Sequence, residues 1–162
     1  MDYIFGGCEI GVHVAIDYTL SNGAANNPSS LHYLNKNRNQ YTDAISSVCT
    51  ILQDYDSDNM FPVYGFGGQI PYNPQGKASH CFALNGDIYA PEVSGVEGVL
   101  NAYYNSVKKV QLYGPTNFSE TLGFVSGFAG YSEQEMSQAN QKYTICLIIT
   151  DGVITDFDAT VD

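Results

Sequence analysis

The chain has 162 residues, enough for one domain with a substantial core, and 44% of them are hydrophobic. Its formal net charge is −11, from 17 acidic and 6 basic residues. This balance argues against nucleic acid and anionic lipid as direct partners, because both attract Lys and Arg. No apolar stretch is long enough for a transmembrane helix, and the first residues lack the basic and apolar regions of a signal peptide, so we expect neither.

The first half of the chain predicts three strands and one helix. The short apolar run Val12–Ile16 is rich in β-branched residues and predicts a strand covered on both faces, as in a parallel sheet. A polar loop at 21–38 precedes an amphipathic helix of about four turns, whose apolar positions are Tyr41, Ala44, Ile45, Val48, Ile51, Leu52 and Tyr55. Residues 61–66 and 80–84 predict two further strands, and the second should run antiparallel because no crossover helix precedes it.

The second half adds two helices and the most apolar strand. Helical spacing predicts one helix from Val96, Val99, Leu100, Tyr103, Val107 and Val110 and, after a break at YGPTNF, another from Phe118, Leu122, Val125 and Ala129. Residues 131–142 are polar and predict a loop or a frayed helix end. The run 143–150 predicts a strand that ends at Asp151, and Thr155 marks the start of a further helix. This order of elements indicates an α/β domain.

The four cysteines have no Cys-x-x-Cys spacing, and one of them, Cys146, lies within an apolar run. The pattern predicts free, buried thiols in a reducing compartment rather than a disulfide framework or a zinc site. The prediction covers Cys8, Cys49, Cys81 and Cys146.

Two of the predicted strands end in an aspartate, Asp17 and Asp151. In open parallel sheets ligands bind beyond the carboxyl ends of the strands, so these carboxylates should converge if the strands are neighbours. Thr19 and Ser21 add hydroxyl oxygens, and Thr116 lies in a loop before a helix, from which its hydroxyl could point to the same place. Such oxygens suit Mg²⁺ or Mn²⁺, with water at the remaining positions, and the lack of His and Cys in the set argues against zinc. The alternative is that these side chains only cap turns and satisfy loop backbone groups.

Five motifs together resemble the von Willebrand factor A-type domain of the copine family: IDYTLSNG, SLHYL, QDYDSDNMFPVYGFGG, VQLYGPTNF and LIITDGVITD. The resemblance covers essentially all 162 residues. It implies a doubly wound, mostly parallel α/β sheet flanked by helices, von Willebrand factor A-like and Rossmann-type. It also implies a metal-ion-dependent adhesion site, which falls on Asp17, Thr19, Ser21, Thr116 and Asp151. Thr19 stands where many A domains have Ser. The hydroxyl group is kept, and the copines resemble this sequence at that position.

By this resemblance, residues 1–162 form a single A-type domain of a copine-like, calcium-dependent phospholipid-binding protein. Its implied function is metal-dependent protein binding, in which Mg²⁺ or Mn²⁺ keeps an open position for an Asp or Glu of a partner protein. The resemblance also implies a cytoplasmic protein that is recruited peripherally to the plasma membrane. That recruitment would act through C2 domains of the full-length protein, with no direct membrane contact by this domain.

We expect no enzymatic activity. The sequence has no Gly-x-Ser-x-Gly or Gly-x-x-x-x-Gly-Lys motif and none of the kinase motifs, and GFGG at 65–68 is interpreted as a strand-end turn. His13, His32 and His80 are interpreted as structural residues. The alternative is an enzyme-associated domain: a ubiquitin-ligase subunit, which would require RING cysteines that this sequence lacks, or a weak phosphotransferase.

The A-domain fold normally continues after the Asp-Gly turn with helices and two further strands. We therefore expect the domain to be incomplete at its C-terminal end. The strand at 143–150 should then be a sheet edge, whose unpaired backbone groups can pair with another chain.

Overall fold

The computed structural model describes residues 8–56, 58–71, 73, 76–133 and 141–161. Within these ranges the strands are β1 (Cys8–Asp17), β2 (Met60–Phe66), β3 (Gly68–Gln69), β4 (Phe82–Ala83), β5 (Glu92–Ser94), β6 (Gln111–Leu112) and β7 (Gln141–Ile149). The helices are α1 (Gln40–Leu52), α2 (Gly95–Ser106), α3 (Ser119–Glu133) and α4 (Phe157–Val161), and a short 3₁₀ helix, Leu20–Asn22, follows β1.

The main sheet is built around β1, which runs parallel to β2 on one side and to β7 on the other. The antiparallel strands β4 and β5 both pair with β2, and the order along the sheet is β4-β2-β1-β7. Strands β3 and β6 form a separate antiparallel pair. The predicted α/β architecture, a mostly parallel sheet flanked by helices and similar to von Willebrand factor A domains, is confirmed.

Both faces of β1 are covered, which explains its continuous apolar run. Val12, Val14 and Ile16 are fully buried in the core cluster that includes residues of α1 and α2. Burial of each such side chain stabilises the fold by about 1.5–3 kcal/mol. On the other face, the ring of His13 lies 6.1 Å from the ring of Phe128 in α3.

Helix α1 begins with a capping box at Asn39. The Asn39 side chain accepts a hydrogen bond from the Thr42 N–H, and the Thr42 hydroxyl accepts one from the Asn39 N–H. The helix ends at Leu52, so the predicted apolar stripe extends too far. Ile51 is 63% exposed and Tyr55 lies beyond the helix, because the helical period alone does not show where the neighbouring layer ends.

Other boundaries also differ from the predicted ones. Strand β1 begins before the apolar run, at Cys8, because backbone pairing with β7 extends that far. Helix α2 ends at Ser106, although Val107 and Val110 still pack on the core. Helix α4 begins at Phe157, so the prediction that Thr155 starts it is wrong. Part of the polar stretch at 131–142 lies outside the described residues.

The cysteine prediction is confirmed for Cys49, which is buried and free. Cys81 and Cys146 are free but only half-buried, and the Cys8 side chain lies outside the described residues. No helix in the described part of the chain combines the length and apolar character needed to cross a bilayer.

Candidate metal centre

Three loops meet beyond the carboxyl ends of β1 and β7. Ser21 Oγ donates to Asp151 Oδ1 at 3.0 Å and lies 2.8 Å from Thr19 Oγ1. Thr116 Oγ1 and Ser21 Oγ lie 3.2 and 3.9 Å from the point that a Cβ on Gly152 would occupy. The loops thus bring all five predicted side chains into one cluster: Asp17, Thr19, Ser21, Thr116 and Asp151. Their role as metal ligands stays a prediction.

Asp17 anchors the cluster. Its Oδ1 accepts hydrogen bonds from the Thr19 N–H at 2.7 Å, the Thr19 hydroxyl at 2.6 Å and the Asn22 amide at 3.2 Å. Its Oδ2 accepts one from the Thr150 hydroxyl at 2.5 Å. These contacts hold the carboxylate in a single position at the end of the central strand.

The Asp17 carboxylate is fully buried, and no ion pair compensates its charge within the described ranges. There the single ion pair joins Arg38 and Asp43 at the surface. A buried carboxylate without a cationic partner is unfavourable. A metal ion is one way to supply the missing positive charge.

The hydroxyls of Thr19 and Ser21 lie between the two carboxylates in one chain of contacts. The distances are 2.6 Å from Asp17 Oδ1 to Thr19 Oγ1, 2.8 Å from Thr19 Oγ1 to Ser21 Oγ, and 3.0 Å from Ser21 Oγ to Asp151 Oδ1. An ionised carboxylate only accepts hydrogen bonds, so two hydroxyl protons must serve three contacts. With both carboxylates ionised and no cation bound, one contact would join two oxygen lone pairs with no proton between them. A cation among these oxygens would remove that deficit, so the residues fit a hard divalent ion.

The composition of the cluster distinguishes it from a zinc site. Within the described ranges no three or more His, Cys, Asp or Glu side chains form a group that could hold a metal. The candidate set instead combines two carboxylates with three hydroxyls. Oxygen ligands of this kind are those that Mg²⁺ and Mn²⁺ prefer, usually completed by water.

A buried amide and a tyrosine support the first loop. The Asn22 amide nitrogen donates to Asp17 Oδ1 and to the Thr19 carbonyl, and the Tyr41 hydroxyl donates to Asn22 Oδ1 at 2.6 Å. Burial raises the pKa of Tyr41, and the negative charges of Asp17 and Asp151 raise it further. Tyr41 therefore stays protonated and keeps donating, which fixes the orientation of the Asn22 amide.

His32 fixes the backbone of Asp17. Its Nε2 lies 2.9 Å from the Asp17 carbonyl oxygen, which can only accept, so Nε2 carries the proton. Nδ1 then accepts from the Tyr103 hydroxyl at 2.8 Å, and Asn39 donates to that hydroxyl at 2.9 Å. Desolvation lowers the pKa of His32 to about 4, so the ring is neutral at physiological pH. This arrangement agrees with the interpretation of His32 as structural.

The loop that carries Asp151 is hydrogen-bonded to the loop that carries Thr116. The Thr155 N–H and hydroxyl both donate to the Thr116 carbonyl, at 2.9 and 2.8 Å. The Asp156 carboxylate accepts from the N–H groups of Phe118 and Ser119, each at 2.9 Å, and so caps the start of α3. These contacts hold Thr116 beside the loop that carries Asp151.

The Asp156 carboxylate has an altered pKa. Desolvation raises this pKa, but the hydrogen bonds from Ser119 and Phe118 outweigh it and lower the pKa to about 2. The group is therefore ionised at physiological pH.

Sequence reasoning missed the supporting residues Asn22, Tyr41, Thr150 and Asp156, and it missed the contact of His32 with Asp17. Asn22 and Thr150 lie next to predicted ligands in sequence, and that proximity was the signal available for them. Tyr41 was assigned only to the apolar stripe of a helix. The hydrogen bond from its hydroxyl to Asn22 depends on where the 21–38 loop returns to the sheet.

The fold and the oxygen cluster define an α/β domain of the von Willebrand factor A type. A family model described as Copine matches residues 30–162. The chain is also 46% identical over 163 aligned residues to Copine-A of Dictyostelium discoideum, whose name denotes no enzymatic activity. The chain therefore belongs to the copine family. The alignment covers 100% of this chain and 26% of Copine-A, so the chain spans about a quarter of that relative.

Proposed function

We propose that the domain is a metal-ion-dependent protein-interaction module of a copine-like, calcium-dependent phospholipid-binding protein. Mg²⁺ or Mn²⁺ would be held by Asp17, Thr19, Ser21, Thr116 and Asp151. The observation that carries the proposal is the continuous chain of short oxygen–oxygen contacts between the two carboxylates. The burial of Asp17 without a cationic partner in the described part of the chain supports it.

A bound divalent ion supplies positive charge that attracts and orients an anionic group. The two carboxylates share their negative charge with hydroxyl, amide and backbone donors, and the other three side chains are neutral. The centre therefore still favours an anionic ligand, and the Asp or Glu of a partner protein has that chemistry. Because the chain carries a net charge of −11, an acidic partner should be repelled when the ion is absent.

We also propose that the domain is not itself an enzyme. His32, which contacts the Asp17 backbone, has both ring nitrogens in structural hydrogen bonds. A neutral histidine that is committed in this way is not available as a general base.

The full-length protein is proposed to be cytoplasmic and to reach the plasma membrane peripherally through C2 domains. This domain would make no direct membrane contact, because its net charge of −11 is repelled by anionic lipid. Co-sedimentation of this chain with phosphatidylserine vesicles in the absence of other protein segments would contradict that last point.

The metal assignment is tested by isothermal titration of Mn²⁺ into the wild type, Asp17→Ala and Asp54→Ala. Asp54 is an exposed aspartate outside the cluster and serves as the matched control. We expect one site in the wild type and in the control, and none in Asp17→Ala, with folding of each variant checked by circular dichroism. Unchanged Mn²⁺ affinity in Asp17→Ala would show that the ligand assignment is wrong.

The role of the partner's acid is tested separately. A peptide that binds the domain in Mn²⁺ should lose its affinity in EDTA, and also when its Asp is replaced by Asn. Equal binding in EDTA would mean that the ion is only a structural element.

A further inference from the structure

We infer that the partner also inserts an apolar side chain into a groove beside the metal site, so that the ligand is a peptide in which an apolar residue lies close to the metal-binding acid. This inference rests on the proposed function. The groove, here called the Leu20 groove, has a volume of about 640 Å³. Its lining includes Leu20, Ala24, Ala25, Leu34, Lys108 and Val110.

Leu20 makes the groove continuous with the metal site. It lies between Thr19 and Ser21, and its N–H donates to the Tyr113 carbonyl at 2.9 Å, which fixes the backbone. Its side chain is nevertheless 62% exposed. Covering a large exposed apolar side chain with an apolar ligand lowers the free energy of the complex. Neighbouring residues of one ligand can therefore contact the ion and the groove together.

The walls of the groove suit an apolar side chain. Leu34 and Val110 are half-buried and pack against the core, so this part of the wall is held in place by the fold. The volume lies within the usual range of small-ligand pockets, which are mostly apolar with a few polar groups. A side chain of the size of Leu or Phe fits such a space.

Lys108 gives the groove a preference for an acidic peptide. It is exposed, it lines the groove, and it forms no ion pair within the ranges that the structure describes. The chain has 6 basic residues against 17 acidic ones, and Lys108 places one of these few positive charges at the groove. A free ammonium beside an apolar groove complements an acidic and apolar segment, and it disfavours a basic one.

The test uses an array of nonapeptides in a Gly-Ser background. Each peptide has one Asp and one Leu, with the Leu placed one to four residues before or after the Asp, and matched peptides carry Ser for Leu or Asn for Asp. The wild type is compared with Ala24→Trp, which fills the groove from an exposed position, and with Lys108→Glu. The controls are Ala90→Trp and Lys109→Glu, two exposed positions that do not line the groove.

In Mn²⁺ we expect at least one spacing at which the Leu peptide binds the wild type roughly tenfold more tightly than its Ser counterpart, as burial of one apolar side chain predicts. Ala24→Trp should remove this advantage, and Lys108→Glu should weaken binding several-fold. The two controls should behave as the wild type. Mn²⁺ affinity without peptide should be the same in all four variants, because none of them alters a candidate ligand.

The inference is overturned if no peptide binds, if Leu gives no advantage over Ser, or if Ala24→Trp leaves that advantage intact. In each of these cases the metal assignment is decided separately, by the Mn²⁺ titration of Asp17→Ala. Leu-dependent binding that persists in EDTA overturns the link between the groove and the metal.

Discussion

The two carboxylates of the candidate metal centre have opposite surroundings. Asp17 ends the central strand, is fully buried and accepts four hydrogen bonds. Asp151 follows β7, is exposed and accepts a hydrogen bond from Ser21. The Asp17 side chain is already held by its contacts, whereas the exposed Asp151 side chain makes fewer of them. Of the two candidate ligands, Asp17 is therefore positioned by the sheet, and Asp151 would lose more side-chain freedom on binding an ion.

The largest expected effect separates the two carboxylates directly. Asp17→Asn should lower Mn²⁺ affinity by roughly a hundredfold or more, because it removes a buried charge that would face the proposed cation. Asp151→Asn should lower it by roughly tenfold, since water can replace an exposed carboxylate more easily. Calorimetric titration of both variants measures the two affinities. Equal losses would show that burial does not distinguish the two ligands.

The support beneath Asp17 gives the next largest effect. Asn22→Ala leaves the Tyr41 hydroxyl without its acceptor and removes the amide donor to Asp17 and Thr19, all in a buried place. The free energy of unfolding, measured with urea, should fall by about 2 kcal/mol. Asn26→Ala, at an exposed position, is the control and should change it little. Identical urea midpoints for the two variants would mean that the first loop is not held as described.

Asp156 supports the loop that carries Asp151, and its contribution to stability should be smaller than that of Asn22 and should depend on pH. Asp156→Asn removes a charged cap of α3 and should cost about 1 kcal/mol. The pKa of Asp156 is lower in the folded chain, at about 2, than its ordinary value of 3.8. Its stabilisation is therefore complete above the unfolded pKa and is lost as the pH falls through the folded one.

Because the stabilisation by Asp156 is lost on acidification, it can be measured by comparing the wild type with Asp156→Asn as a function of pH. The difference in free energy of unfolding should be constant above about pH 5 and shrink toward pH 2. Asp158→Asn, at an exposed position of α4, is the control. A difference that grows on acidification would contradict the assignment of the cap.

The smallest expected effect concerns the edge strand that precedes Asp151. In the described part of the chain β7 pairs only with β1, and Tyr143 and Ile145 on it are 55% and 37% exposed. We expect the isolated chain to self-associate weakly, because a free edge offers backbone groups to another chain. Light scattering at increasing concentration should show a rising mass, and Ile145→Lys should reduce it. A strictly monomeric wild type with a sharp cooperative melt would contradict this expectation.

Asp17 and Asp151 also show which parts of the fold and of the candidate site the sequence could predict. The ends of the long buried strands were predictable, because the apolar runs at Val12–Ile16 and 143–150 stop at polar residues. Both strands lie side by side with parallel register, so the expected convergence of Asp17 and Asp151 follows from the sheet. The α/β class came from the order of the elements that these patterns predict, and the doubly wound arrangement came from the resemblance to the copine family.

Two kinds of feature could not be predicted. The short strands β3, β5 and β6 have two or three residues each, too few to show a period. The hydrogen bonds of Asn22, Tyr41 and His32 depend on how the 21–38 loop folds back over the sheet, and its polar composition is compatible with many paths. Asp156 acts on a helix that precedes it in the chain, which no local pattern reveals.

The amide of Asn39 belongs to two parts of the molecule at once. Its oxygen accepts from the Thr42 N–H at the start of α1, and its nitrogen donates to the Tyr103 hydroxyl, which in turn donates to His32. Asn and Asp are about equally good at the first position of a helix. A carboxylate, however, has no proton to give, and it would compete with His32 for the Tyr103 proton. At this position Asn therefore meets a requirement that Asp does not, although an isolated helix accepts both. Asn39→Asp would leave the cap of α1 intact and still disturb the hydrogen bonds that lead through Tyr103 and His32 to the Asp17 carbonyl.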